Sequence, residues 1–374
     1  MESNHSVLPP SSAGIWGTSC TGWVKMVSTL PVQEDTAESL EGDLAHDKAS
    51  RELKRASGKV FGAIPMLGDV KNGVVVTEEM EDAVKVYVED VLGAMVQGQM
   101  WMGIEDKIEI PDIHPQCFGT ADFWIFNDGA LRIWDFKYGH KYVKVENNKQ
   151  LICYAVGLIR RLELPMNTPV ELTIVQPRTH TQEGPVRRWN TTVQEVWTQG
   201  QILSANAHRN MGPNGTLTTG PHCYYCKARL NCGPAINLSL ALIEMMGEAA
   251  PVDITPVGLG KQMEILDRAY DHIKSMRDAT AEQIKVLLRK GAGVPGWCLE
   301  STFGREAWNK SEEEIFHLGE LLGKNIKTSK PITPAQARKI GIPAEVVAMY
   351  SHRPNSGLKL TRDEGKAARI FGGN

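Results

Sequence analysis

The chain of 374 residues lacks the features that would place it in a membrane or an export pathway. No apolar run approaches the ~20 residues needed to cross a bilayer, and the N-terminus has no basic segment followed by an apolar stretch. An excess of positive charge is also lacking, because 41 Lys and Arg stand against 44 Asp and Glu, a net charge of -3. That balance does not indicate a nucleic-acid binder, but it argues only weakly against one, since basic groups can be concentrated in one groove. We expect a globular, cytoplasmic protein.

Cysteine is present, but not in the pattern of a disulfide framework. In a chain without an export signal, the seven cysteines are not expected to form disulfides. Cys223, Cys226 and Cys232 form a C-x2-C-x5-C cluster, which indicates a metal site in need of a fourth ligand. Zinc would accept a fourth cysteine or His222, whereas an iron–sulfur cluster takes four thiolates. The spacing leaves both open, beside the plainer interpretation of free thiols packed near a turn.

Hydrophobic patterning and turn signals predict alternating helices and strands over the first two thirds of the chain. The helices are predicted over 36–56, 77–97, 147–163 and 194–209, and the strands over 101–110, 117–127, 131–138, 170–177 and 186–193. The Asp128-Gly129 pair between two of these strands is a strong signal for a tight hairpin turn. Beyond it, 236–248 and 257–290 are predicted as helices, followed by short mixed elements. We place a domain boundary near 235–255.

The predicted hairpin carries two carboxylates and a lysine that could together form a metal-dependent catalytic site. Alternate residues of a strand share a face, so Asp135 and Lys137 project together, and Asp122 lies on the paired strand ~4.8 Å away. Carboxylates suit Mg²⁺, which lowers the pKa of a coordinated water, and a lysine beside it can stabilise the charge that develops in phosphodiester hydrolysis. An Asp-x-Lys pair alone is usually a solvated ion pair. The second acid, and Gln150 and Tyr154 on one face of the next helix, favour a site.

The order of these motifs resembles the RecB-like branch of the PD-(D/E)XK nuclease superfamily. That branch has a helix histidine, a strand aspartate, an acid-x-Lys pair and a Gln-x-x-x-Tyr helix. The matching residues are His46 in EGDLAH, Asp122 in GTAD, Asp135 and Lys137 in DFKYG, and Gln150 and Tyr154 in QLICY. Asp135 replaces the commoner glutamate.

The resemblance implies a role for each matching residue. The metal ligands for Mg²⁺ or Mn²⁺ would be His46, Asp122 and Asp135, and the catalytic residues Asp122, Asp135, Lys137, Gln150 and Tyr154. Glu105 on the first strand could aid the metal site, although a surface position is the favoured interpretation.

Iron–sulfur members of that branch, among them AddB and the CRISPR-associated exonucleases, place one cysteine before the nuclease core and three after it. Cys20, together with Cys223, Cys226 and Cys232, reproduces this layout. The resemblance therefore implies a [4Fe–4S] cluster in preference to Zn²⁺, with a structural role and a contribution to a DNA-binding surface.

The chain is also similar to a phage and prophage family described only as a domain of unknown function. The shared segments are PSSA, EGxxAH, FGTAD, DFKYG and the late cysteines. This similarity implies work on DNA in replication or recombination inside a bacterial host cell, with a phage single-strand annealing or replication protein as a partner.

The expected fold is an α/β PD-(D/E)XK core with a mixed central sheet flanked by helices, followed by a mainly helical region. Residues 1–235 would form the nuclease domain closed by the cysteines, and 236–374 an accessory region. The expected function is a metal-dependent DNA nuclease, with exonuclease action favoured. The alternative is a catalytically inactive DNA-binding protein of the same fold, stabilised by an iron–sulfur or zinc site.

Overall fold

The computed structural model describes most of the chain. The described residues are 6–30, 36–58, 62–95, 101–179, 181, 183–245, 255–303, 307–326, 332–352 and 355–362. They form two compact units, Met1–Met276 and Arg277–Asn374. The functional division predicted near residue 235 stays a prediction.

The first unit contains a five-stranded sheet, a small hairpin and the longer helices. Its helices are α1 (Ala13–Trp16), α2 (Trp23–Ser28), α3 (Ala37–Ala56), α4 (Glu78–Ala94), α5 (Lys149–Leu162), α6 (Val193–Met211), α7 (Gly233–Met245) and α8 (Pro256–Arg289), the last of which ends in the second unit. Its strands are β1 (Val70–Lys71), β2 (Val74–Val75), β3 (Trp101–Glu109), β4 (Phe118–Asn127), β5 (Ala130–Phe136), β6 (Pro169–Val175) and β7 (Val186–Thr192).

The central sheet is mixed, with strand order β3-β4-β5-β6-β7. Only β5 and β6 run parallel, and α5 forms the crossover between them, as a parallel connection requires. One face packs on α5 and α6, and the other packs on α3 and α4. The predicted α/β fold, with a mixed sheet flanked by helices, is confirmed.

The hairpin between β4 and β5 turns where the sequence predicts. Asp128 and Gly129 both have positive φ, 49° and 69°, the conformation of a tight two-residue hairpin turn. Its register pairs Asn127 with Ala130 and Phe123 with Trp134. The turn therefore fixes which residues of the two strands lie opposite each other.

The second unit is smaller and mainly helical. Its elements are β8 (Trp297–Phe303), β9 (Ala307–Trp308), α9 (Glu312–Leu321), α10 (Pro334–Lys339), α11 (Ala344–Tyr350), β10 (Ser351–His352) and β11 (Asn355–Arg362). A small core that includes Ile315, Ile326 and Val347 holds the helices together. Among the helices in the described ranges, none is both long enough and apolar enough to span a membrane.

Candidate active site

The site begins at an irregularity shared by β3 and β4. The pairing of these strands joins residues on both sides of Glu105 and Asp122 but skips these two. Ile104 and Ile108, an even number of residues apart, would share a face in a regular strand, yet they pack on opposite faces of the sheet. Glu105 has a φ of 48°, in the left-handed region that is uncommon for a residue with a side chain. Both carboxylates therefore lie where the alternation of side chains between the two faces of the sheet reverses.

A histidine from α3 completes this group. His46 Nδ1 lies 3.4 Å from Asp122 Oδ1 and 4.0 Å from Glu105 Oε1. One ligand atom from each of the three residues lies within 4.8 Å of the other two. The His46 ring also packs 5.3 Å from the ring of Phe136 on β5. We call His46, Glu105 and Asp122 the acid trio.

Two ion-pair clusters hold α3 in place beside α4. Lys48 is 2% exposed, and its Nζ lies 2.9 Å from Glu81 of α4. Arg178, after β6, pairs with Glu41 of α3 at 3.0 Å and with Glu79 of α4 at 2.9 Å. The acidic partners are partly exposed, so these pairs add little to stability and mainly orient α3 against α4. They set the position of His46 against the sheet.

The acid trio brings two carboxylates and a histidine together in a half-buried place. Burial and the nearby Asp122 raise the pKa of Glu105 to about 7. Burial alone would lower the pKa of His46, but Asp122 and Glu105 raise it to about 9. Asp122 keeps a pKa below its ordinary value despite burial, because it faces His46 and accepts the Phe136 N–H at 2.7 Å. A divalent cation would relieve this crowding of carboxylates.

Asp135, Lys137 and Gln150 form a second group, which we call the lysine network. Asp135 is 2% exposed, and its Oδ1 accepts from Gln150 Nε2 at 2.8 Å. Lys137 Nζ lies 2.9 Å from Asp135 Oδ2 and donates to Gln150 Oε1 at 3.1 Å. Burial alone would lower the pKa of Lys137, but Asp135 and Asp122 raise it, so the ammonium stays charged. Burial, with Asp122 nearby, raises the pKa of Asp135.

The start of α5 positions Gln150 and Tyr154. The Asn148 side chain accepts from the backbone N–H groups of Gln150 and Leu151, which fixes the first turn of the helix. Tyr154 lies one turn further along and is buried, which raises its pKa above the ordinary value. A Cβ added to Gly119 of β4 would lie 3.2 Å from the Tyr154 hydroxyl. The lack of a side chain at Gly119 therefore leaves room for the Tyr154 phenol.

The structure thus brings the six predicted residues of the active site to one region, five of them in two groups and Tyr154 beside the lysine network. His46 and Asp122 lie together with Glu105, which the sequence interpretation placed on the surface. Asp135 lies in the lysine network and outside the acid trio, so its assignment as a metal ligand stays a prediction. No local sequence signal identifies Glu105, because its position beside Asp122 depends on how β3 aligns with β4 in the folded chain.

The four cysteines line one small pocket in the first unit. Cys20 lies between α1 and α2, and the other three lie around two 3-10 helices, Pro221–Tyr225 and Arg229–Asn231. The Gly22 N–H donates to the Thr216 carbonyl at 2.8 Å, which ties the N-terminal segment to the segment before the cysteine cluster. The structure therefore brings Cys20 to the three late cysteines.

The cysteine pocket is apolar and unfavourable for bare thiolates. All four cysteines are buried, and burial raises the pKa of Cys20 and Cys223, and that of Cys226 to about 11. Within the described residues, no three cysteine sulfurs lie within 4.8 Å of one another. A tetrahedral zinc site with Zn–S bonds of ~2.3 Å needs sulfurs ~3.8 Å apart. In every set of three of these sulfurs, at least one pair is therefore farther apart than such a site requires.

A family model matches nearly the whole chain. It covers residues 5–344 and is described as "Protein of unknown function (DUF2800)". The matched span contains the acid trio, the lysine network and all four cysteines of the pocket. On this evidence the chain belongs to the DUF2800 family of proteins of unknown function.

Proposed function

We propose that this protein is a divalent-metal-dependent DNA nuclease. The observation that carries the proposal is that the charged Lys137 of the lysine network lies close to the acid trio. The motifs of the chain also resemble those of RecB-like nucleases. The family match alone names no activity. The side chains and their geometry supply the argument.

The acid trio suits Mg²⁺ or Mn²⁺. It offers one imidazole nitrogen and two carboxylates, and hard divalent cations favour few protein ligands, which leave positions for water and phosphate oxygens. A cation held there would polarise the scissile phosphate and lower the pKa of an attacking water. Asp135 lies in the neighbouring group and would complete the ligand set in the arrangement that the resemblance implies.

Lys137 supplies the positive charge next to that site. Its ammonium is held by Asp135 and Gln150, so its direction is fixed before substrate arrives. Such a group stabilises the negative charge that develops on a phosphate in the transition state. Gln150 acts through Asp135 and Lys137, and Tyr154 packs behind it, so both are positioning residues in this proposal.

The cysteine pocket is proposed to hold a [4Fe–4S] cluster, with Zn²⁺ as the other candidate. Four buried thiols, three of which have pKa values raised by burial, favour a group that binds them as thiolates, and the resemblance favours a cluster over a single ion. The cluster would join the N-terminal segment to the segment after α6. Its role in the proposal is structural.

The substrate proposed from the resemblance is the end of a DNA strand, with exonuclease action. A phage or prophage role in replication or recombination follows from the same resemblance, as does a single-strand annealing or replication protein as partner. The bacterial cytoplasm is the corresponding location.

The test uses end-labelled linear DNA and covalently closed circular DNA, with Mg²⁺, with Mn²⁺ or with chelator. We expect hydrolysis of linear DNA only with a divalent cation, and little on closed circles. Asp135→Ala and Lys137→Ala should abolish it, whereas Lys107→Ala, at an exposed position of β3, should not. Full activity in either of the first two variants would refute the assignment.

One observation favours a second candidate, a DNA-binding protein that keeps the fold without catalysis. Lys137 and Gln150 engage Asp135, which does not share the acid trio. This candidate predicts DNA binding and Mn²⁺ binding without strand cleavage under any cation. The same assay, run beside a binding measurement, separates the two.

A further inference from the structure

The first unit contains a cavity of about 380 Å³ beside the cysteine pocket, with which it shares Cys223 as a lining residue, and no residue of the acid trio lines it. Its walls include Tyr224 between two cysteines, Leu238 of α7 and Ile265 of α8, and its rim carries Lys141 and Arg268. The volume falls in the range of small-ligand pockets, ~300–1,000 Å³. Apolar and aromatic walls below a cationic rim match the chemistry of one nucleotide, a flat base joined to a phosphate.

The cavity is preformed because its walls are tied together. Ser275 of α8 donates to the Tyr224 carbonyl at 3.1 Å, and His272 of α8 lies 3.0 Å from the Ala235 carbonyl of α7. Both contacts lie within the first unit. Asp271 also lines the cavity, and a carboxylate there can accept hydrogen bonds from the amino groups of a base.

A buried glutamine holds the loop that carries Lys141. Gln176 is 1% exposed, and its Nε2 donates to the carbonyls of Gly139 and Lys141, each at 2.7 Å. Its Oε1 accepts from the Val143 N–H at 3.1 Å and from Arg187 at 2.8 Å. The loop is therefore rigid where it places Lys141 Nζ, which lies 2.7 Å from the centroid of the Tyr224 ring.

The same loop connects the cavity to the lysine network. Lys141 follows Lys137 by four residues, so their Cα atoms are at most ~14 Å apart. At ~3.4 Å per phosphate along a stacked strand, that distance corresponds to about four nucleotides. A strand whose scissile phosphate lies at Lys137 can thus reach the cavity with a neighbouring nucleotide.

We propose that this cavity binds one unpaired nucleotide of a single-stranded DNA segment entering or leaving the active site. The base inserts beside Tyr224, and its phosphate contacts Lys141 and Arg268 at the rim. The inference rests on the proposed nuclease function, since it assigns the substrate class of that site. A paired base cannot enter, so the cavity selects single strands over duplex.

The test measures binding of a fluorescein-labelled oligothymidylate and of a labelled blunt hairpin duplex by anisotropy, without added divalent cation. We expect Lys141→Ala and Arg268→Ala each to weaken oligothymidylate binding about tenfold, while duplex binding changes little. The slope of log K against log salt should shrink by about 0.7 per cation removed. Tyr224→Ala should weaken binding similarly and Tyr224→Phe should not, because the phenyl ring preserves stacking.

Matched controls come from the same elements. Lys144→Ala removes a lysine from the same loop, and Lys274→Ala removes one from α8, yet neither residue lines the cavity. Equal weakening by rim and control variants would overturn the cavity proposal, as would equal weakening for single-stranded and duplex DNA. Because no cleavage is measured, a failed nuclease assay together with the expected binding pattern would refute the enzyme assignment and leave the cavity in place.

Discussion

The active-site region and the cysteine pocket differ in what holds their side chains in place. The acid trio and lysine network take their side chains from two helices and three adjacent strands, and ion pairs, a helix cap and backbone hydrogen bonds hold them. The cysteine pocket joins two segments far apart in the chain, and its four thiols lie among apolar groups. The first region is positioned by the fold itself, whereas the second would be completed by what it binds.

This difference predicts a division of roles. Changes in the active-site region should affect metal binding and chemistry while the fold persists, because the sheet and its helices do not depend on them. Changes in the cysteine pocket should affect stability first, because a bound cluster would add free energy only to the folded state.

The largest expected effect follows from removing two cysteines together. Cys223→Ser with Cys226→Ser should abolish the visible colour of an iron–sulfur protein and lower the melting temperature by about 10 °C, for a loss of roughly 3–5 kcal/mol. Differential scanning calorimetry of anaerobically purified protein measures this. Cys298→Ser, outside the pocket, is the matched control. A double variant with unchanged colour and melting temperature would show that the pocket is a set of ordinary thiols.

The second effect concerns Glu105, whose substitution should change the affinity for metal while the fold persists. Glu105→Gln should weaken Mn²⁺ binding by about 10- to 100-fold or more, the loss typical of metal-site partners. Glu109→Gln on the same strand should leave Mn²⁺ binding unchanged, because its side chain is exposed. Isothermal titration calorimetry measures both, and equal affinities would remove Glu105 from the metal site.

The pH dependence of the same variant has a definite sign. The pKa of Glu105 is raised from 4.5 to about 7 in the fold, so its contribution to stability is present below pH 4.5 and is lost as the pH rises through about 7. Metal-free Glu105→Gln should therefore melt higher than the wild type at pH 8, and the difference should disappear near pH 5. A lower melting temperature at pH 8 would contradict the crowding of charge at the acid trio.

A smaller effect is expected at Gln150, which contacts both members of the Asp135–Lys137 pair. Gln150→Ala should lower kcat about 10- to 100-fold with little change in KM, because the lysine loses its fixed direction. Gln201→Ala, on the exposed side of α6, should retain wild-type kinetics. A change confined to KM would mean that Gln150 contacts substrate instead of orienting the pair.

The smallest effect tests the packing behind the lysine network. A Cβ at Gly119 would lie 2.9 Å from Pro10 Cδ and 3.2 Å from the Tyr154 hydroxyl, so Gly119→Ala should cost about 1 kcal/mol. Gly14→Ala in α1 meets no atom within 4 Å and should not lower stability. Urea denaturation compares them. Equal free energies of unfolding for both variants would mean that the site tolerates movement of Tyr154.

Local signals predicted the β4–β5 hairpin well, whereas the roles of its site residues stay predictions. The Asp128-Gly129 turn lies where the sequence predicts it, and the register of the hairpin pairs Phe123 with Trp134. Helix α5, predicted over 147–163, runs from Lys149 to Leu162, and α3, predicted over 36–56, runs from Ala37 to Ala56. These elements have strong turn, cap and periodicity signals within a few residues.

Glu105 could not be placed from such signals. The connection between β3 and β4 spans residues 110–117, which is too long for a two-residue hairpin turn, so the register of β3 is not readable from the sequence. The reversal of alternation at Glu105 and Asp122 is a property of two strands together. Likewise, the cavity beside Tyr224 depends on α7, α8 and a loop after β5, which meet only in the folded chain.

The most direct test is the rate at which Asp122→Asn releases labelled nucleotides from a single-stranded DNA end over a Mg²⁺ titration. Asp122 joins the acid trio to β5 through the Phe136 N–H, so its charge is central to the proposed metal site. The wild type should require Mg²⁺. The rate of the variant should be lower by at least ~100-fold, with its melting temperature nearly unchanged. Hydrolysis by the wild type in chelator, or a wild-type rate in the variant, would contradict the proposal.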